Sequence, residues 1–280
     1  MPEFLQPKSL GQAMDLLRHI RDVKFLAGGT DLIILLRNRM IDCRYLMDVK
    51  QIPELHTFQY TPEGLTIGAA VTCNRILHAD FLREEHRVLQ EAAITLANTL
   101  LRNRATLMGN ICNASPGGDM IPACLVLEAK VYTLSPRGER VIPLKEFFTG
   151  VKTHVLAPDE LAVKLVLPNK PGRGVYLKKR RIRGHDLAQV GLAGFYGEEG
   201  ALSFAIAAMG PTPILIEDIG VFPPEALPGV KEEIKAKVVE KAKPISDVRS
   251  SREYRLAMLD YFTGLAVDAF ATGEKVEVRA

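Results

Sequence analysis

The chain has 280 residues, 47% hydrophobic and 25% charged, with a formal net charge of +3. That length suits two domains or one large one with a sizeable core, and so small a charge excludes a global pull toward nucleic acid or an anionic membrane. The opening MPEFLQPKSLGQAMD lacks the apolar stretch of a signal peptide, and no apolar run approaches the roughly 18 residues of a membrane helix; a soluble, cytoplasmic protein is expected.

Cys43, Cys73, Cys112 and Cys124 form no CxxC pair, so neither a zinc knuckle nor an iron–sulfur site is expected, and four reduced thiols are. Tryptophan is absent. Any visible absorbance would come from a bound group.

In chain order, a helix is expected around Ser9–Ile20, a strand at Lys24–Ala27 and a helix from Asp31 to Arg39. There LIILLRNRM is too densely apolar for an exposed face. A strand at Tyr45–Val49 completes a βαβ-like unit. A short strand at Leu65–Ile67 and helices within 76–101 lead to a glycine-bearing loop at 106–119. A helical turn near Pro122–Glu128 and a strand at Lys130–Leu134 follow. SPRGER at 135–140 is a turn, Leu161–Leu167 a strand and PNKPGRG at 168–174 a linker. Residues 175–210 read as an antiparallel meander, with GEEG at 197–200 closing a hairpin. A Pro-rich crossing at 223–228 enters two helices. The last opens on the capping-box pattern Ser250-Ser251-Arg252-Glu253, and Tyr254, Met258, Tyr261, Phe262, Leu265 and Ala269 are expected on its core face. The division is a first domain at 1–171, with parts at about 1–55 and 56–171, and an α+β second domain at 172–280.

Two stretches carry chemistry. In KFLAGGTDL at 24–32 a strand runs into Gly28-Gly29 and then a helix. Bare backbone amides at such a bend suit an anion, with the Thr30 hydroxyl as a further donor; a plain tight turn capped by Asp31 is the simpler alternative. A dinucleotide site of Rossmann type would use Asp48 on the ribose, but the loop lacks the GxGxxG spacing. In TLMGNICNASPGGD at 106–119, Thr106, Gly109, Asn110, Asn113, Ser115, Gly117, Gly118 and Asp119 could present amides and hydroxyls to a polyoxygenated ligand. Asp119 would accept from a hydroxyl or else cap the turn that follows. Two such loops suit one long diphosphate ligand gripped from two sides. The basic run LKKRRIR at 177–183 reads as a solvated strand or subunit contact, or as a holder of an anionic acceptor; nucleic acid is not expected. His185-Asp186 reads as a surface turn.

LAGGTDLI, LLRNRATLMGNICNASPGGDMIPACLVLEAKV, LAPDELAVKLVLP, AAMGPTPI and DVRSSREYRLAMLDYF resemble, in order and over essentially the whole chain, the FAD-binding medium subunit of molybdenum hydroxylases. These are the xanthine dehydrogenase, carbon monoxide dehydrogenase and hydroxybenzoyl-CoA reductase group. The resemblance implies an α+β fold: a PCMH-type FAD-binding domain of two subdomains, shared with vanillyl-alcohol oxidases and MurB-type reductases, plus a C-terminal domain of antiparallel sheet and helices. It places FAD on Lys24, Phe25, Leu26, Ala27, Gly28, Gly29, Thr30, Asp31 and Leu32, and on Thr106, Gly109, Asn110, Ile111, Ser115 and Asp119. Ile111 would pack near the flavin, and Lys178 would contact it. Met108 stands where the family usually has glycine and could crowd the diphosphate unless it points away. No catalytic residue and no metal ligand are expected on this chain, and the cubane-bearing insertion of the hydroxybenzoyl-CoA branch is missing. Implied partners are a molybdopterin-binding large subunit and a small subunit with [2Fe–2S] clusters, in a dimer of heterotrimers, with electrons passing through FAD to NAD or another acceptor. The alternatives are a stand-alone MurB-like flavin reductase and a non-redox nucleotide-binding module. Co-purifying molybdopterin and iron–sulfur partners, lone activity or a colourless protein would tell the three apart.

Overall fold

A computed structural model describes residues 2–182, 185–274 and 276. The chain opens with β1 (Glu3–Leu5), α1 (Leu10–His19), β2 (Val23–Leu26), α2 (Leu32–Arg37) and β3 (Tyr45–Asp48). The three strands make a parallel sheet in the order β1-β3-β2. Ser9 caps α1 by accepting from the Gln12 N–H, and Ala13, Met14 and Leu17 are its buried stripe.

α2 departs from expectation. None of its residues is buried, and Ile33 and Ile34 are exposed. Apolar density alone does not decide which way a two-turn helix lies; here the helix is held by its junction with the preceding bend rather than by a buried face.

Next come β4 (Phe58–Thr61), β5 (Gly64–Gly68), α3 (Cys73–Leu77), α4 (Arg87–Thr95), α5 (Thr99–Arg102), α6 (Leu107–Cys112) and α7 (Met120–Val126). They are followed by β6 (Lys130–Ser135), β7 (Gly138–Pro143), the small hairpin β8 (Phe148–Gly150) and β9 (Thr153–His154), and β10 (Leu161–Leu167). An antiparallel sheet in the order β4-β5-β10-β6-β7 forms the floor. The stretch read as loop at 106–119 contains α6, because Thr106 caps a helical turn that the glycine at 109 does not prevent.

The third sheet is a meander of β11 (Gly172–Lys179), β12 (Val190–Gly197), β13 (Ala201–Ala207) and β14 (Ile214–Val221). The expected linker at 168–174 already enters β11 at Gly172. Every residue of β12 is buried, with period-two alternation. Ala193 and Phe195 join the main core with α4 and α7, while Leu192 and Tyr196 face a second core with α8 (Leu227–Lys241) and α9 (Arg252–Thr272).

In α9 the cap is Ser251, whose Oγ accepts from the Tyr254 N–H, one residue later than a capping box on Ser250 and Glu253 requires. Of the residues expected on the core face, Phe262 and Ala269 are buried, together with Arg255, Leu259, Ala266 and Phe270, whereas Met258 and Leu265 are half-buried and Tyr254 and Tyr261 exposed.

Two buried polar groups fix local geometry. Glu160 is held by the Thr133 hydroxyl, the Arg140 guanidinium and the Ala157 N–H. These donors outweigh its burial and hold its carboxyl below the usual range. His86 is fully buried, and its Nδ1 lies 3.2 Å from the Tyr60 hydroxyl, which itself accepts from the Arg83 N–H. The Tyr60 hydroxyl and Nδ1 share a hydrogen bond, the Glu85 carboxylate lies 3.7 Å from the same nitrogen, and Nε2 has no partner among the described residues.

Burial, helped by the charge of Arg83, pushes the His86 pKa down from 6.5 to about 4. The folded state thus refuses a proton that the unfolded chain accepts below about 6.5, and stability falls as pH drops through that window toward 4. Urea unfolding is expected to give a free energy roughly 2 kcal/mol lower at pH 5 than at pH 7 from this group. The slope between those two pH values flattens by that amount in His86→Gln.

Candidate functional site

β2 delivers the chain to the bend at Ala27–Thr30. Ala27, Gly28, Gly29 and Thr30 are half-buried there, with Lys24 exposed, Phe25 packed partly against the core and Leu26 buried. The Val49 N–H donates to the Leu26 carbonyl at the sheet end, and the Ile33 N–H to the Gly29 carbonyl at the start of α2. Gly29 has φ +74°, a conformation that favours glycine. Asp31 and Leu32 begin α2; the Asp31 side chain makes no cap hydrogen bond, so the capping alternative does not hold.

The second stretch lies against the first. A Cβ on Gly28 would stand 2.2 Å from the Arg104 carbonyl oxygen and 3.0 Å from the Ala105 Cα. The first bend therefore rests, backbone on backbone, on the residues that lead into Thr106. Segment 71–73 stitches the same place from below: the Cys73 N–H donates to the Ala105 carbonyl at 2.8 Å and the Leu107 N–H to the Val71 carbonyl at 3.3 Å. Farther along, the Lys152 N–H of the β8–β9 turn donates to the Ala114 carbonyl at 3.0 Å, and the Ala208 N–H at the end of β13 to the Pro116 carbonyl at 2.6 Å. The second stretch is pinned from three sides.

Its residues divide by direction. Thr106 is buried and its Oγ1 accepts from the Gly109 N–H at 3.0 Å, leaving the hydroxyl proton for a further acceptor. Gly109 is exposed. The Asn110 Oδ1 accepts from the Met120 N–H at 3.2 Å, which fixes the amide and leaves its NH2 to donate. Ser115 is half-buried and its carbonyl accepts from the Gly118 N–H. Ile111 and Met108 are both in the main core; the Met108 side chain points into the protein rather than over the bend.

Asp119 is 7% exposed and makes no cap bond to α7, against the capping alternative. It belongs instead to a buried cluster. The Lys178 Nζ donates to Oδ2 at 2.8 Å and the Tyr176 hydroxyl to Oδ1 at 3.4 Å, and Nζ also donates to the Thr95 carbonyl at 3.1 Å. Burial raises the Asp119 pKa, with Lys178 and Tyr176 pulling against it. Burial and the Asp119 charge carry the Tyr176 phenol well above its ordinary value. Tyr176 had not been singled out, yet it lies two residues from Lys178 on β11, and alternation puts the pair on one face.

Cys112, half-buried on α6, is a free thiol raised to about 12 by burial, in keeping with a packing role. Among the described residues no cluster of His, Cys, Asp or Glu could hold a metal ion. Asp186 accepts from the Arg181, Ile182 and Leu187 N–H groups, which closes the expected surface turn. Arg183 and Gly184, part of or next to the basic run, lie outside the described residues. No helix among the described residues is long and apolar enough to cross a membrane.

The half-buried first bend with Thr30 meets a second stretch on which the Thr106 hydroxyl proton and the Asn110 NH2 remain as donors of the kind a diphosphate or a polyhydroxy chain needs, while the Asp119–Lys178–Tyr176 cluster is itself buried. The family model described as the FAD binding domain in molybdopterin dehydrogenase matches residues 1–170. The xanthine dehydrogenase FAD-binding subunit of Escherichia coli O157:H7 is 30% identical over 265 residues, covering 91% of this chain and 91% of the relative. The carbon monoxide dehydrogenase medium chain of Hydrogenophaga pseudoflava is 28% identical over 279 residues, covering 95% and 96%. A solved structure, the reconstituted CO dehydrogenase from Oligotropha carboxidovorans, superposes with a TM-score of 0.90 at 26% identity, covering 96% of each chain.

Gly28→Ala is expected to cost about 1–3 kcal/mol in urea unfolding, because the added methyl meets rigid backbone. Gly117→Ala, where the nearest atom is 3.7 Å away, should stay within about 0.5 kcal/mol. Asp119→Ala leaves the Lys178 ammonium buried without its counter-charge, at about 3–5 kcal/mol. The double variant Asp119→Ala/Lys178→Met is expected to recover most of that loss in the same assay.

Proposed function

This chain belongs to the family of FAD-binding domains found in molybdopterin dehydrogenases, and on that footing we propose that it holds FAD across the two glycine bends and relays electrons within a multi-subunit molybdenum hydroxylase. The observation that carries the reading is the contact of Gly28 with the Arg104–Ala105 backbone, which makes one continuous face of two stretches 80 residues apart in sequence.

In this reading Ala27, Gly28, Gly29 and Thr30 approach the diphosphate from one side, as far as their half-buried amides and the Thr30 hydroxyl allow. Thr106, Gly109, Asn110 and Ser115 approach from the other. Lys24 to Leu26 and Asp31 to Leu32 flank the bend and set its position. Ile111, buried in the core, shapes the floor rather than offering a polar contact. Lys178 keeps its ammonium on Asp119 and the Thr95 carbonyl, so the pair presents a fixed dipole to whatever lies above it instead of a mobile charge.

Bound FAD supplies chemistry that couples one-electron donors to a two-electron acceptor. We assign the donors to [2Fe–2S] clusters of a small partner chain and substrate oxidation to a molybdopterin-binding large chain, in a dimer of heterotrimers in the cytoplasm. The acceptor is NAD or a comparable carrier. Support comes from the family membership. The division into a flavin domain at 1–171 and a second domain at 172–280 is part of the same proposal.

Thr30→Asp tests it. Thr30 makes no hydrogen bond that holds the fold, and a carboxylate there would face the diphosphate. Flavin occupancy, read as visible absorbance, is expected to fall at least tenfold, about 1.4 kcal/mol or more in binding, with circular dichroism unchanged. Undiminished occupancy would show that the first bend does not hold the flavin.

A further inference from the structure

The basic run after Lys178 has a second destination. Lys179, Arg180, Arg181, Ser250, Ser251 and Tyr254 line an open cleft of about 440 Å³, with Gln189 at its base. Its size falls in the range of about 300–1,000 Å³ typical of small-molecule sites. Three consecutive cations border it, and no acidic side chain does among the described residues.

The nearby carboxylates hold backbone donors, and the Arg181 charge also acts on Asp186. Asp186 takes the Arg181, Ile182 and Leu187 N–H groups. Asp247 is held by Arg255 at 2.8 Å and receives the Arg249 and Ser250 N–H groups. Glu253, in the first turn of α9, is exposed and does not line the cleft.

The opposite wall is the start of α9, a 21-residue helix whose first turn faces the cleft through Ser250, Ser251 and Tyr254. Its amide dipoles add positive potential to that of the side chains. The Ser250 hydroxyl donates to the Ser251 carbonyl, while the Ser251 hydroxyl, which accepts from the Tyr254 N–H, keeps its proton for a tetrahedral oxyanion, and the Tyr254 ring, 41% exposed, offers a flat apolar wall beside them. Gln189 gives the base rigidity: it donates to the Arg249 carbonyl, and its own carbonyl accepts from Arg255 at 2.9 Å.

We propose that this cleft is a binding site for a phosphorylated small molecule, its phosphate or diphosphate set among Lys179, Arg180, Arg181 and the serines and its organic part against Tyr254. The site is separate from the glycine bends and stands whether or not those bends hold a flavin. β11 joins the two places: Lys178 turns inward to Asp119, and the Arg180 charge also acts on that carboxylate.

Calorimetric titration of pyrophosphate into the full chain tests the proposal, against potassium chloride at matched ionic strength. Saturable one-to-one binding that chloride does not reproduce is expected. Lys179→Glu/Arg181→Glu should weaken it at least tenfold without moving the thermal midpoint by more than a few degrees. Ser251→Gly, which keeps a residue tolerated at a helix cap but removes the hydroxyl, should weaken it severalfold. Heat that vanishes once ionic strength is matched, or equal affinity in the charge-reversed protein, would overturn the assignment.

Discussion

Everything at the candidate site depends on how closely two backbones meet. Gly28 rests on the Arg104 carbonyl at a distance that no side chain permits, and that contact converts two sequence-distant stretches into one surface. Around it the chain has arranged stitches rather than bulk. Segment 71–73 pairs with 105–107, the β8–β9 turn reaches Ala114, and the end of β13 reaches Pro116. Each is a backbone hydrogen bond worth about 1 kcal/mol net. They fix the second stretch through main-chain groups and leave the Thr106 hydroxyl proton and the Asn110 NH2 as donors.

The buried Asp119–Lys178 pair does a different job. It connects the second stretch to β11 of the meander through charges that cannot separate cheaply. Tyr176 adds a second donor from the same strand face. An ion pair of this kind contributes position more than stability. It specifies which rotamer of the carboxylate and which register of the strand are allowed, and it keeps the buried Lys178 ammonium in one place.

Much of this was legible beforehand, for reasons that can be named. β10 and the β6–β7 turn follow from apolar runs bounded by Gly, Pro and charged residues. The β12–β13 hairpin follows from alternation around GEEG, and the two bends from glycines next to hydroxyl and carboxylate groups. What was not legible is instructive. α2 looks like a core helix by composition but is too short for periodicity to fix its face, and it lies exposed. Capping competes among neighbouring hydroxyls, so Ser251 took the role that the pattern gave to Ser250; of the aromatic residues expected on the core face of α9, Phe262 is buried while Tyr254 and Tyr261 reach solvent. Asp119 reads as a cap or a ligand contact in sequence, because its true partners, Lys178 and Tyr176, are nearly 60 residues away. The meeting of Gly28 with Arg104 has no local signal at all.

The meander β11–β14 is covered on both sides, with α4 and α7 against one and α8 and α9 against the other. A layer clamped in this way offers no plane of sliding and no wet face along which the halves could part. Breathing between the two halves is thereby suppressed, and entry and exit of any occupant of the bends must be handled at the margin. The small turn between β8 and β9, with Val151 at its exposed tip and a single amide on Ala114, is the part of that margin with least to lose by moving.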